Sequence, residues 1–302
     1  MIVGCMHLGR SWDGTPPSPE VAKQHDQLID TALASGVRQF DHADIYCRGI
    51  SEQLFGDYLS RQPNLRETLH LTSKCGIRFA DSPNAGDPGR YDFSTQYILD
   101  AVDGSLQRLQ TDYLDTLLLH RPDLLGEPQA VADAFSLLHE SGKVRAFGVS
   151  NHNAQQIRLL QQALPFALTT NQLECSLARP ELISSGAMVD RKDGTYTHSD
   201  GLLDFCRLEN ITVEAYSPLA RGTVTTGETP LASAVQTLAT EYGVAPEAIA
   251  CAWLLRHPAG IVPVTGTTDP QRLQACLAAR DITLTREHWY TLLIAAHGGP
   301  LP

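Results

Sequence analysis

Thr116-Leu117-Leu118-Leu119-His120, residues 128–141, Ala146-Phe147-Gly148-Val149-Ser150, residues 154–163 and Thr169-Thr170-Asn171-Gln172 read in order as strand, helix, strand, helix, strand. The first two short runs are apolar almost throughout, as in strands buried on both faces, and they end in His120 and Ser150. The longer segments between them carry apolar residues at helical spacing. The same alternation extends outward. Strands are expected upstream at 2–6, 39–41 and 69–74, and downstream at 212–216 and 260–264. Helices are expected at 19–35, 51–61, 94–109, 200–209 and 246–256, with Ser94 as an N-cap and Gly36 and Gly142 as stops. Eight strands alternating with helices imply parallel βαβ units, in either an open doubly wound sheet or a barrel. Their regularity, with no central crossover, favours closure into an α/β (β/α)8 TIM barrel. No composition shift marks a linker, so residues 1–302 are expected to form one domain.

The totals exclude some functions. With 23 basic and 34 acidic residues the net charge is −11, which argues against nucleic-acid tracking and against binding anionic membranes. No run approaches the roughly 20 apolar residues that a spanning helix needs. Cysteines at 5, 47, 75, 175, 206, 251 and 276 form no C-x-x-C pair and are odd in number. Together with an N-terminus that lacks an export signal, they lead us to expect reduced thiols in a cytoplasm. Segments 76–93 and 176–199 follow strands and look irregular, and in a barrel such loops build the active-site face.

Asp41, Lys74 and His120 each end an expected strand, and Tyr46 follows Asp41 by five residues. Any one of them alone reads as a turn, a cap or a solvated side chain. Four at separate strand ends resemble a barrel active site. The chain has neither a G-x-G-x-x-G after its first strand nor the Tyr-x-x-x-Lys of short-chain dehydrogenases, so a Rossmann dinucleotide site is not expected.

The words Gln39-Phe40-Asp41-His42-Ala43-Asp44-Ile45-Tyr46 and Ser51-Glu52 resemble a signature of the aldo-keto reductases. The likeness continues through Leu71-Thr72-Ser73-Lys74, residues 117–123, Gly148-Val149-Ser150-Asn151, Thr170-Asn171-Gln172, residues 215–222 and residues 262–267, in the family's order. The resemblance, closest to a bacterial oxidoreductase branch, implies a barrel enzyme that reduces an aldehyde or ketone with NADPH, NADH being possible. It implies a catalytic tetrad of Asp41, Tyr46, Lys74 and His120, with Tyr46 the proton donor and His120 a hydrogen-bond donor to the carbonyl oxygen. A lysine about 4 Å from the phenol is worth roughly 4 kcal/mol at an effective dielectric near 20, or about three pKa units before desolvation subtracts.

The same resemblance implies that Ser150, Asn151 and Gln172 bind the nicotinamide carboxamide and that Tyr216 stacks on the ring. Ser217, Leu219 and Gly222 would follow the pyrophosphate, and Gly266, Thr267 and Arg272 the adenosine. The sequence departs from the family pattern at His42, which we expect to pack. It departs again at Cys47, expected near the substrate wall and open to oxidation. His7 and Trp12 are further candidates for that wall. No metal is expected. The rival reading is a metal hydrolase using His42, Asp44, His120 and His152, which leaves Tyr46 and Lys74 without a role. A second alternative is a cofactor-binding sensor or partner subunit with little turnover. The expected partner is a small-molecule carbonyl substrate, and the expected state a monomer.

Overall fold

The computed structural model describes residues 1–187 and 201–301. Its strands are β1 (Ile2–Gly4), β2 (Gln39–Asp41), β3 (His70–Cys75), β4 (Ile77–Arg78), β5 (Arg90–Tyr91), β6 (Leu114–Leu119), β7 (Val144–Ser150), β8 (Thr170–Glu174), β9 (Thr212–Tyr216) and β10 (Val262–Thr265). Eight of them close a parallel barrel in the order β1-β10-β9-β8-β7-β6-β3-β2, so the expected (β/α)8 fold is observed. The remaining two, β4 and β5, pair antiparallel as a short hairpin inside segment 76–93. With two residues each, they are too short for alternation to reveal them.

Parallel strands covered on the outside by helices and packed within must be apolar on both faces, and β6 is buried at all six positions. Gly148 has a steric reason. A Cβ there would lie 2.6 Å from the Thr170 carbonyl oxygen and 2.7 Å from Leu118 Cδ2, so only glycine lets β7 approach its neighbours this closely.

The helices are α1 (Pro19–Ala34), α2 (Ile50–Ser60), α3 (Thr95–Leu109), α4 (Pro128–Glu140), α5 (Ala154–Ala163), α6 (Glu181–Ser184), α7 (Leu202–Leu208), α8 (Pro230–Tyr242), α9 (Pro246–Leu255), α10 (Pro270–Leu277) and α11 (Arg286–His297). α3 shows the shared logic: Ile98, Val102, Leu106 and Leu109 recur at helical spacing and turn inward. Burying each of these stabilises the fold by about 1.5–3 kcal/mol before entropy is subtracted. Ser94 is the N-cap residue, but its hydroxyl bonds Asp92 Oδ1 at 2.7 Å and not the helix. The stops at Gly36 and Gly142 are observed, both in left-handed conformation.

Beyond the one-turn α6, which falls inside the expected loop 176–199, three longer helices are additions to the sequence reading: α8, α10 and α11. Each has a side-chain N-cap, from Thr229, Asp269 and Thr285 respectively, and the first two carry proline in their first turn. α11 covers α9, where Trp253 and Trp289 stack at 5.4 Å and each indole N–H donates to the other's carbonyl oxygen. Residues 188–199 of the expected loop 176–199 lie outside the described residues. Among the described residues no helix is long and apolar enough to cross a membrane.

Candidate active site

β2, β3 and β6 end on the same rim of the barrel, as their register Asp41↔Thr72 and Lys74↔Leu118 requires. Lys74 is 1% exposed, so its charge must be met inside the protein. Its ammonium donates to the Asp41 carboxylate at 2.7 Å, to the His42 carbonyl oxygen at 2.8 Å and to the Tyr46 hydroxyl at 3.0 Å. Those three bonds use all its hydrogens. The His120 ring stands edge-on to Tyr46, with centroids 5.8 Å apart. The four residues expected to act together are therefore brought together.

Tyr46 is presented by a tight turn. Cys47 and Arg48 follow it with φ of 50° and 56°, and Gly49 with 87°. Two successive non-glycine residues in the left-handed region cost roughly 1–3 kcal/mol each, and such outliers gather at functional sites. Cys47 does not line the cavity and is fully buried, which corrects the expectation of a wall residue open to oxidation. Its thiol donates to the Met6 carbonyl oxygen at 3.3 Å, and its side chain backs onto Gly9.

Burial dominates the electrostatics. It pushes the Tyr46 phenol up to about 12; Lys74 opposes this and Asp41 adds to it. The lysine thus pulls in the expected direction, but desolvation outweighs it. Burial disfavours the Lys74 ammonium too, yet Asp41 and Tyr46 more than compensate and hold its pKa above the ordinary value. Burial, then Lys74 and Arg121, keep His120 well below the usual histidine range, so its imidazole is neutral. Its Nδ1 is buried without a partner among the described residues.

The rim opens into a cavity of about 640 Å³. Asp41, Tyr46 and His120 line it, as do His7 and Trp12, while Lys74 stands behind. All ten residues expected at the cofactor line it as well. Ser150, Asn151, Gln172 and Tyr216 form one hydrogen-bonded patch. The Ser150 hydroxyl donates to the Gln172 carbonyl oxygen at 2.8 Å, and Asn151 Nδ2 donates to Ser150 Oγ at 2.8 Å. The Tyr216 hydroxyl donates to Asn151 Oδ1 at 2.9 Å. Farther along the wall, Ser217, Ala220 and Arg221 are left-handed, as is Gly222, giving a strained loop beside Leu219. At the far end stand Gly266, Thr267 and Arg272, whose Nε is 3.9 Å from Glu247 Oε1.

The sequence reading missed Arg121, Arg221, Glu247 and Ile77, which also line the cavity. Arg121 and Arg221 sit inside the quoted words, whereas Glu247 lies in the first turn of α9 with no local word to mark it. It also missed Glu214, and it quoted Glu52 within the signature without giving it a role. Gln172 Nε2 donates to Asp41 Oδ1 at 2.8 Å and to Glu214 Oε2 at 2.9 Å. Fully buried Glu52 accepts from the Ser73 hydroxyl at 2.6 Å and from Arg108 at 2.8 Å, tying α2 to β3 and α3.

The four metal-ligand candidates face different surroundings. His42 packs against Phe55 with centroids 4.7 Å apart, as expected. His152 stacks on Phe93, and Asp44 accepts from the Tyr97 hydroxyl at 3.3 Å. Among the described residues no group of three or more His, Cys, Asp or Glu side chains is arranged to hold a metal.

Comparison with known proteins places this site in context. The sequence profile of the Aldo/keto reductase family matches residues 1–295. The chain is 39% identical to the uncharacterized oxidoreductase YcsN of Bacillus subtilis over 91% of this chain and 89% of the relative. It is 35% identical to a 6-dehydroglucose reductase of Agrobacterium fabrum over 99% of this chain and 94% of that one. Among solved structures, an aldo/keto reductase from Klebsiella pneumoniae in complex with NADP and acetate superposes with a TM-score of 0.76 at 25% identity, covering 99% of this chain and 92% of that one. The glycerol dehydrogenase of Gluconobacter oxydans shares the fold, with a TM-score of 0.80 at 23% identity, covering all of this chain and 93% of that one.

Proposed function

The chain belongs to the aldo/keto reductase family, and on that premise we propose that it reduces a small hydroxylated aldehyde or ketone with Tyr46 as proton donor. It is a nicotinamide-dependent oxidoreductase acting on small-molecule carbonyl compounds, and NADPH is its cofactor. The single observation that carries the assignment of roles is the Lys74 ammonium, held behind the cavity wall between Asp41 and the Tyr46 hydroxyl, which line it.

The residues present fit the cofactor. In a chain of net charge −11, this cavity is lined by three guanidiniums, Arg121, Arg221 and Arg272, against one carboxylate without a strong partner, Glu247. That local excess suits a pyrophosphate. The Gly222 and Gly266 positions have open space where a Cβ would stand, leaving room for a ligand to approach the backbone. Bound there, the nicotinamide supplies a hydride to the substrate carbonyl carbon.

The chain's own residues do the rest. His120, neutral, donates a hydrogen bond to the substrate oxygen as charge develops on it. Tyr46 gives that oxygen its proton. Lys74 stabilises the phenolate left behind, and Asp41 keeps Lys74 charged and in place. Because the resting phenol sits near 12, it is protonated throughout the physiological range and ready for reduction. The name of the Agrobacterium fabrum relative and a wall that mixes His7, Trp12 and Arg121 support a polar, hydroxylated substrate. The seven cysteines are free and buried, which suits a reducing compartment such as the cytoplasm, and the expected monomer remains a proposal. Tyr46→Phe tests the assignment. NADPH should bind within about twofold of the parent while turnover falls at least 100-fold, and near-parental turnover would remove Tyr46 as the acid.

A further inference from the structure

Glu214 is a carboxylate inside the barrel, on β9, outside the tetrad and outside every cofactor residue assigned above. It is 8% exposed, and its backbone pairs with Gln172 on one side and Val262 on the other. Its partner in hydrogen bonding is the Gln172 amide. Gln172 Nε2 has two hydrogens, and two carboxylates take them: Asp41 Oδ1 at 2.8 Å and Glu214 Oε2 at 2.9 Å. Asp41 is ion-paired with Lys74 and can only accept, so the nitrogen of Gln172 must face it. With Glu214 accepting the second hydrogen, a 180° flip of the amide would set its carbonyl oxygen against two carboxylates. The flip is therefore opposed twice over. Gln172 Oε1 is the one polar atom of that side chain left for the cavity, which Gln172 lines.

We propose that Glu214 is a positioning residue for the cofactor: it locks the Gln172 amide so that Oε1 accepts from the carboxamide N–H of the nicotinamide. The proposal rests on the reading of Gln172 as a nicotinamide contact. It gives the buried carboxylate a role that folding does not supply, since an apolar side chain of similar size would avoid the desolvation cost. Burial, then repulsion from Asp41, push the Glu214 carboxyl up to about 7, while the Gln172 hydrogen bond, Lys74 and the N-terminal ammonium hold it down. Neither protonation state abolishes the lock, because a protonated carboxyl still has an oxygen that accepts from Gln172. The same amide also touches Asp41, so loosening Gln172 loosens one restraint on the tetrad.

The test uses two ligands, NADPH and 2′-phospho-ADP-ribose, which keeps the adenosine and pyrophosphate but lacks the nicotinamide. Their affinities are measured for the parent, Glu214→Gln, Glu214→Leu and Glu214→Ala, with thermal melts alongside. Glu214→Gln keeps an accepting oxygen and should stay within about threefold of the parent for both ligands. Glu214→Leu and Glu214→Ala should weaken NADPH about tenfold or more, raise the KM for NADPH more than they lower kcat, and leave 2′-phospho-ADP-ribose unchanged. The alanine variant covers the case in which leucine does not fit. Unchanged NADPH affinity in the truncated variants overturns the proposal, as does equal weakening of both ligands, which would mark a structural role. A parent protein that binds neither ligand would overturn the reading of the cleft itself, and is thereby distinguished from failure of the Glu214 role alone.

Discussion

Replacing Lys74 with methionine separates what the lysine does for the reaction from what it does for the fold. In the parent, its nitrogen lies 3.0 Å from the Tyr46 oxygen. At that distance and an effective dielectric near 20, an ammonium and a phenolate attract by about 5 kcal/mol. The phenolate is only partly formed in the transition state, so roughly half of this, about 2–3 kcal/mol, should be lost from catalysis, or about 100-fold in kcat/KM. The fold loses something different. Asp41 is 2% exposed and would keep a buried charge with only Gln172 to meet it, and breaking such a pair typically costs about 3–5 kcal/mol. The double variant Asp41→Asn, Lys74→Met removes both charges. It should recover most of the melting temperature lost in Lys74→Met while its kcat/KM stays about 100-fold down. Steady-state reduction of a substrate aldehyde and calorimetric melts on the two variants are sufficient. Recovery of activity along with stability would refute the electrostatic role, because it would mean that Lys74→Met fails only through misfolding.

Other perturbations follow from the same geometry. Arg272→Ala should weaken NADPH about tenfold and NADH by less than threefold in a fluorescence titration, since a guanidinium pairs with a 2′-phosphate but has little to pair with on a ribose hydroxyl; equal weakening would remove the phosphate contact. Alcohol oxidation requires the Tyr46 phenolate and should rise with pH as that phenol, near 12 at rest, ionises, whereas reduction should gain nothing; pH profiles of kcat/KM in both directions check this. Burial lowers His25 to about 4 from the ordinary histidine value of 6.5, so its neutral form stabilises the fold above pH 6.5 and that contribution is lost as pH falls from 6.5 through 4. His25→Leu should flatten the fall in the urea midpoint across that window, and an unchanged slope would place acid sensitivity elsewhere.

The barrel was legible because its parallel strands are apolar runs of fixed order, and the tetrad because each member ends or closely follows one of them. What escaped did so for physical reasons. α8, α10 and α11 carry apolar periodicity comparable to that of helices the sequence reading did place, and the capped starts at Thr229, Asp269 and Thr285 are the local signals that mark where they begin. Glu214 reads in sequence as one more strand residue, and nothing local reveals that it and Asp41 share one amide across 42 and 131 residues of chain. Cys47 looked reactive because it follows Tyr46, but the left-handed turn directs it at Gly9 and away from the cavity. The phenol's pKa is a property of depth, which a list of neighbours along the chain does not contain.

The measurement that bears most directly on the account is NADPH oxidation by the purified protein, followed at the nicotinamide absorbance against a panel of hydroxylated and aromatic aldehydes and ketones. The account predicts NADPH-dependent turnover of at least one hydroxylated aldehyde or ketone, lost in Tyr46→Phe. Tight NADPH binding without consumption across the whole panel, by a protein whose tetrad is assembled as described, would contradict it.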